Sequence, residues 1–278
     1  MGLESRPHAI EQPIDIVVPT HNRLELTIRC IDSLYSHTAN PFTLIVVDDS
    51  TDKITPLYFK ELKKKNIKYI RSFTPYTEGN QYLNIAFSHA TNPYIACVGN
   101  SICVEPDWDV GALNIFKARA DVGLVGFKNL MGIGPSTGTI ESAGIGMVNY
   151  LPVDIGKGSP GHRMTTLYEV PAVAWSFCMV RKEAVSNLPE GIYNGFRGWD
   201  DIDNCFVLRK AGWKIMYNGY GAGYHSPRAT RGSNTEETHE RNRENARRFY
   251  KRWGYWDAFT KEYGSDWPES PDGAVQMP

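Results

Sequence analysis

Short apolar runs alternate along the first half of the chain with segments whose apolar residues recur every three or four positions. Ile14 to Val18 is a β-branched run closed by Pro19, and Leu24, Ile28, Ile31, Leu34 and Tyr35 then fall on one helical face. The first pattern predicts a buried strand and the second an amphipathic helix. Leu44 to Val47, stopped by Asp48, reads as the next strand, followed by a helical segment around Leu57 to Lys65 and a strand at Ile67 to Ile70. Residues 82 to 90 then read as a helix, Tyr94 to Val98 as a strand, 109 to 119 as a helix and Val122 to Phe127 as a strand. Strands that alternate with helices predict an α/β fold with a mostly parallel sheet covered on both faces.

After about residue 130 the pattern loosens into GIGPSTGTIESAGIG and VDIGKGSPGHRMTT, which predict loops or short antiparallel strands. Regular elements return with the apolar run Val170 to Val180, a helix beginning near Asp200, a strand at Lys214 to Tyr217 and a charged helix from Glu236 to Trp253. The closing SDWPESPDGAVQMP reads as an extended tail.

Composition narrows what this fold could do. The 278 residues carry 30 Lys+Arg against 31 Asp+Glu, a formal net charge of -1, so no global field draws in nucleic acid or an anionic membrane. Five cysteines form no CxxC pair, which points away from a disulfide framework or a zinc site and towards a reducing compartment. No run of about 18 apolar residues is present, so no transmembrane segment is expected and a cytoplasmic location fits. Peripheral association with the inner membrane face stays open.

In an open parallel sheet, ligands bind beyond the carboxyl ends of the strands. Three polar strand stops are therefore the first candidates: Pro19-Thr20-His21-Asn22-Arg23, Asp48-Asp49-Ser50 and Gly99-Asn100-Ser101. Their hydroxyls, amides and carboxylates can bond a base edge and a ribose. Singly, each could instead cap a helix or make a turn. Later in the chain, Trp199-Asp200-Asp201 opens a helix, where the dipole favours ionised carboxylates by about 0.3 to 1 kcal/mol. An acidic helix cap is the simpler use of such residues.

The motifs in their order resemble family 2 glycosyltransferases. IDIVVPTHNRLELTIRCIDSLYSHT and FTLIVVDDSTD are similar to that family's opening, and TEGNQYLNIAFSHATNPYIACVGN to its next segment. GWDDIDNCFVLRKAGWKIMYNGYGAGYH resembles the acceptor-side acidic motif with its helix, strand and terminal His, and RNRENARRFYKRWG the Arg-rich helix. The resemblance implies a GT-A fold, with a Rossmann-like, mostly parallel sheet covered by helices and a C-terminal acceptor-side portion. It divides the chain into an N-terminal tail (1–12), a nucleotide-sugar-binding half (13–130), an acceptor-binding and catalytic half (131–254) and a C-terminal tail (255–278).

Carried over by position, the resemblance implies that Thr20, His21 and Arg23 line the nucleotide pocket and that Asp49, with Asp48 beside it, contacts the base or ribose. Gly79, Asn84, Asn100 and Ser101 complete the donor side. Asp201 matches the general base of an inverting hexosyl transfer, with Asp200 orienting the acceptor, and Trp175 and Trp199 fall on the acceptor side. His225 matches a residue that helps hold the metal or the diphosphate.

One departure concerns the cation. Where the family usually carries Asp-x-Asp, this chain has Gly99-Asn100-Ser101-Ile102, and Mn²⁺ or Mg²⁺ prefers anionic oxygen ligands. A divalent cation is thus in doubt; Arg228 or Arg231 could stabilise the leaving diphosphate instead, since electrostatic stabilisation needs no metal. The expected partners are a nucleotide-diphosphate sugar, UDP-sugar favoured, and a glycan, lipid-linked or other hydroxyl acceptor, as in polysaccharide biosynthesis. The Arg-rich helix leaves a nucleic-acid acceptor open. The rival reading is a non-catalytic nucleotide-sugar or glycan binding protein on the same scaffold.

Overall fold

A computed structural model describes residues 11–62, 66–72, 81–186, 188, 198–226 and 235–263. In chain order the elements are β1 (Ile14–Thr20), α1 (Leu24–His37), β2 (Phe42–Asp48), α2 (Ile54–Glu61), β3 (Ile67–Arg71), α3 (Gln81–His89) and β4 (Tyr94–Val98). There follow β5 (Ile102–Val104), α4 (Val110–Ala118), β6 (Val122–Met131), β7 (Ile140–Ser142), β8 (Ile145–Val148), β9 (Leu151–Asp154), β10 (Leu167–Glu169) and β11 (Phe177–Arg181). The chain continues through α5 (Lys182–Ser186), α6 (Asp200–Lys210), β12 (Lys214–His225), α7 (Glu236–Arg252) and α8 (Trp256–Tyr263).

The main sheet runs β10-β12-β6-β11-β4-β1-β2-β3, with β5 added beside β12 and β7 beside β6. β1 pairs in parallel with both β2 and β4, and β2 in parallel with β3. The chain therefore builds outward from β1 to β3 and returns to the other side of β1 with β4. That reversal opens a crevice at the carboxyl ends of β1 and β4, where α/β sheets bind ligands. β11 breaks the parallel order inside the sheet, running antiparallel between β4 and β6, and β10, β5 and β7 add antiparallel pairings on β12 and β6.

Alternation along the strands splits the interior into two layers. Val17, Ile45, Cys97, Cys178 and Val180 face a layer that also holds Leu83 of α3, Cys205 of α6 and Phe249 of α7. Ile16, Val18, Val46, Val98, Phe177 and Met179 face the opposite layer, with Ile31 and Leu34 of α1 and Leu113 of α4. In α1 the fully buried positions are Thr27, Cys30, Ile31 and Leu34, so the core stripe lies one step round from the expected face.

Three expected elements change on inspection. Within Val170 to Val180 only the part from Phe177 is strand; the stretch before it is buried loop, bridged by Ala172 to Ile145. β12 runs on past Tyr217 to His225, through an irregularity between Asn218 and Ala222 that re-aims its second half. The expected tail from 255 begins instead with α8, whose Phe259 stacks on Tyr250 of α7 at 4.2 Å between ring centroids. Residues 264–278, including the expected extended end, lie outside the described residues. Among the described residues no helix is long and apolar enough to cross a membrane.

Candidate functional site

β1 and β2 end side by side, and their exits are laced together. Asp49 N–H donates to the Thr20 carbonyl at 3.1 Å, and the Asn22 N–H to Ser50 Oγ at 2.7 Å. Asn22 does not cap α1. Its Oδ1 accepts from the N–H groups of Thr51 (2.9 Å) and Asp52 (3.1 Å), holding the two strand exits together. Asn22 and Arg23 both take positive φ, 53° and 51°, the sharp reversal that lets the chain leave β1 and enter α1.

The two adjacent acids here have different tasks. Asp48 is fully buried; Oδ1 accepts from Ser50 N–H at 2.8 Å, and Oδ2 from the Tyr69 hydroxyl at 2.6 Å and Arg71 Nη1 at 3.2 Å. It is a clamp tying β2 to β3, and this geometry does not offer its carboxylate to a ligand. Asp49 is partly open and pairs with His21 Nδ1 at 2.9 Å. Burial raises its carboxyl above the usual range, and the His21 hydrogen bond opposes that rise. Thr20 is buried and its Oγ1 has no hydrogen-bond partner among the described residues, an unsatisfied polar atom at the strand end. Arg23 is half exposed and pairs with Glu25 at 2.6 Å, and Asn84 is exposed on α3. Gly79 lies outside the described residues.

The loop after β4 is held from three sides. Gly99 N–H donates to the Ser176 carbonyl at 2.7 Å, Cys30 Sγ reaches the Gly99 carbonyl at 3.6 Å, and Ser226 N–H donates to the Ser101 carbonyl at 3.0 Å. Asn100 is buried and turns its amide onto Thr27 Oγ1 of α1 at 3.1 Å. His225 pairs with Ile102 in the β12–β5 ladder, so its ring stands beside this loop, and its Nδ1 meets Glu141 Oε2 at 2.7 Å. The carboxylate fixes the imidazole's orientation and leaves Nε2 as its second functional nitrogen.

These donors fit a divalent cation poorly. Asn100 is committed to α1, Ser101 supplies only a neutral hydroxyl, and no group of three or more His, Cys, Asp or Glu able to hold a metal occurs among the described residues. Arg228 and Arg231 fall outside the described residues.

α6 begins with three acids, of which two are buried. Asp200 is 4% exposed and accepts from the Gly198 N–H at 2.6 Å, closing the turn into the helix. Asp203 is 1% exposed and binds Arg252 Nη1 at 2.6 Å and Trp253 Nε1 at 2.8 Å, locking α6 to the end of α7. Asp201 alone of the three is partly open, with Oδ1 accepting the Trp175 N–H at 2.8 Å. The next residue, Ser176, holds Gly99. Two consecutive backbone positions thus bind the Asp201 carboxylate and the loop carrying Asn100 and Ser101, bringing both to the same end of the central strands β4 and β11.

Neither tryptophan expected on the acceptor side offers a ring face. Trp175 is 1% exposed and its Nε1 lies 3.4 Å from Cys205 Sγ, while Trp199 packs between Phe249 and Tyr250. Both are core, because an aromatic beside an acid satisfies packing as readily as stacking. Burial pushes the Cys205 thiol up to about 12, with Asp201 adding to the rise, so it is no nucleophile at neutral pH. Glu141 and the Tyr69–Arg71 clamp carry no mark in the sequence: their partners lie 84 and more than 20 residues away, and no local motif points to them.

Comparison with known proteins agrees with this architecture. The family model described as glycosyl transferase family 2 matches residues 15–188. A Sinorhizobium fredii protein described as "Uncharacterized protein y4gI" is 26% identical over 258 residues, covering 86% of this chain but 27% of its own length. Among solved structures, GalNAc-T7 with UDP, GalNAc and Mn²⁺ aligns over 93% of this chain and 52% of its own, with a TM-score of 0.64 and 16% identity. Staphylococcus aureus TarS (residues 1–349) in complex with UDP-GlcNAc aligns over 90% of this chain and 71% of its own, with a TM-score of 0.58 and 15% identity. The chain thus spans about a quarter of its curated relative and about half of GalNAc-T7. At such identities the structural likeness establishes the shared GT-A fold. With the model matched over more than half of its length, the chain belongs to glycosyl transferase family 2.

Proposed function

We propose that this chain transfers a sugar from a nucleotide-diphosphate sugar, UDP-sugar favoured, to an acceptor hydroxyl with inversion of configuration. Asp201 acts as general base: it takes the proton from the hydroxyl as that oxygen attacks the anomeric carbon in line and the nucleoside diphosphate leaves on the opposite face. The observation that carries this reading is the division of labour at the start of α6. Asp200 and Asp203 are buried in structural contacts, while Asp201 stays partly open and is oriented by the Trp175 N–H. A helix N-terminus keeps such a carboxylate ionised, as a base must be.

The donor's base or ribose meets Asp49 and His21, with the unpaired Thr20 hydroxyl beneath them, and the diphosphate lies towards Asn100, Ser101 and His225. Asp48 positions this site from behind, and Asp200 holds the turn that presents Asp201. Product analysis by NMR tests the stereochemistry: the reading expects an anomeric configuration opposite to the donor's, and retention would refute it. Donor binding without transfer across a broad panel of acceptors would instead favour a non-catalytic binding protein.

A further inference from the structure

On the β12 side of the sheet, outside the donor crevice, lies a cavity of about 710 Å³. Its wall is built where backbones cross too closely for side chains. A Cβ on Gly161 would collide with the Gly138 carbonyl, and one on Gly219 with the Met164 carbonyl. The irregularity in β12 between Asn218 and Ala222 turns Tyr220 outward at its rim, 68% exposed, while Tyr224, at 37%, lies further along the strand. The lining runs along β12 from Gly219 to Tyr224, the residue before His225, and along β6 at Lys128 and Leu130, which pair with Ala222 and Tyr224.

The polar groups in the wall are of both signs. Lys128 is 4% exposed, yet its ammonium makes one hydrogen bond among the described residues, to the Gly161 carbonyl at 3.0 Å. An ammonium has three N–H donors, and a buried one left short of partners is costly. Burial holds Lys128 below its ordinary value, and nearby Glu105, also in the wall, opposes that shift. Thr137, Thr139 and Thr165 add hydroxyls.

We propose that this cavity is an acceptor subsite for a neutral saccharide unit, remote from the hydroxyl that reacts. Lys128 and Glu105 carry opposite charges in one wall, so together they offer no net charge to favour an anion over a neutral ligand or a cation over one. A sugar ring both accepts from the ammonium and donates to the carboxylate through its hydroxyls, and lays its C–H face on the negative face of a tyrosine ring. Seven hundred cubic ångströms is ample room for one ring, and the crossing glycine backbones keep the site preformed. The inference deepens the acceptor reading above and rests on it.

The experiment measures saccharide binding directly and reads turnover separately. Calorimetry with UDP present would be run on an array of neutral oligosaccharides alongside their sulfated and uronic-acid counterparts. Lys128→Met, Glu105→Gln and Tyr220→Ala would follow on whatever binds, with thermal unfolding to check folding. Loss of a hydrogen bond to a charged group predicts binding weaker by about tenfold or more in Lys128→Met. In Tyr220→Ala, whose exposed ring can leave without disturbing the core, the acceptor KM should rise with kcat preserved. If Lys128→Met does not fold, the other two variants decide.

The subsite is overturned if no neutral saccharide binds, if the folded variants bind as the parent does, or if the anionic counterparts bind more tightly. Asp201→Asn separates the two readings, because it should bind saccharide normally while failing to transfer. If Asp201→Asn turns over normally while the cavity variants still lose saccharide, the catalytic assignment fails and the subsite stands.

Discussion

Replacing Arg252 by Met should loosen the catalytic end of α6 from a distance. Asp203 is 1% exposed, and its carboxylate is held by Arg252 Nη1 at 2.6 Å and Trp253 Nε1 at 2.8 Å; the Arg252 guanidinium also lies 5.4 Å from the Trp253 ring centroid. Removing one partner of a buried ion pair costs about 3 to 5 kcal/mol, because it leaves the other charge desolvated. The Arg252 side chain is 29% exposed, so water can partly take its place and the expected loss is about 2 to 3 kcal/mol. For a chain of this size each kcal/mol is worth about 2 to 4 °C, which predicts a fall in Tm of roughly 4 to 12 °C. Adding Asp203→Asn should recover much of that fall, since the uncompensated charge is then gone. Asp201 lies two residues before Asp203 on the same turn, so kcat should drop in Arg252→Met while donor affinity holds. Thermal unfolding of the single and double variants and steady-state kinetics read these out. A Tm change under about 1 °C, or a double variant no more stable than Arg252→Met, would refute the reasoning.

Other residues of the site make separate predictions. If an ionised Asp49 bonds the donor, UDP affinity should fall as pH drops through its raised pKa, and His21→Ala, which removes the opposing hydrogen bond, should move that midpoint to higher pH. A calorimetric pH series with the same midpoint in both proteins would contradict this. Glu141→Leu removes the charge-assisted partner that orients His225 and should lower kcat/KM by about tenfold, in the presence or absence of chelator. With Asn100 tied to Thr27 and no carboxylate in residues 99–102, EDTA should leave turnover largely intact; a strict Mn²⁺ requirement would contradict this. Gly126→Ala drives a Cβ into the Val173 side chain across the β6 core position and should cost about 1 to 3 kcal/mol, seen as a lowered unfolding midpoint.

Much of the first half was legible because its signal is local. Ile14 to Val18, Leu44 to Val47 and Tyr94 to Val98 are short apolar runs with polar stops, and those stops are where the crevice opens. Direction was not legible: Phe177–Arg181, buried on both faces, reads the same whether it runs with or against its neighbours, so the antiparallel insertion of β11 needed the structure. The roles of neighbouring acids were equally hidden. Asp48 and Asp49, or Asp200 and Asp201, are chemically alike, and only the side each faces divides clamp from accessible carboxylate. Trp175 and Trp199 show the same ambiguity for aromatics. Lys128 sits in VGLVGFKNLM as a single cation in an apolar strand, and its place in a cavity depends on a segment more than 30 residues later. The boundary at 254 missed α8, whose short amphipathic stretch gains its stability by packing on α7 rather than from propensity.

Asp201→Asn tests the central claim most directly, because it preserves the shape and the hydrogen bond from Trp175 while removing the charge. Donor affinity should stay close to that of the parent, and kcat should fall by about a hundred- to ten-thousandfold, the usual worth of a positioned general base. Transfer at near-parental rate by the Asn variant would contradict the account.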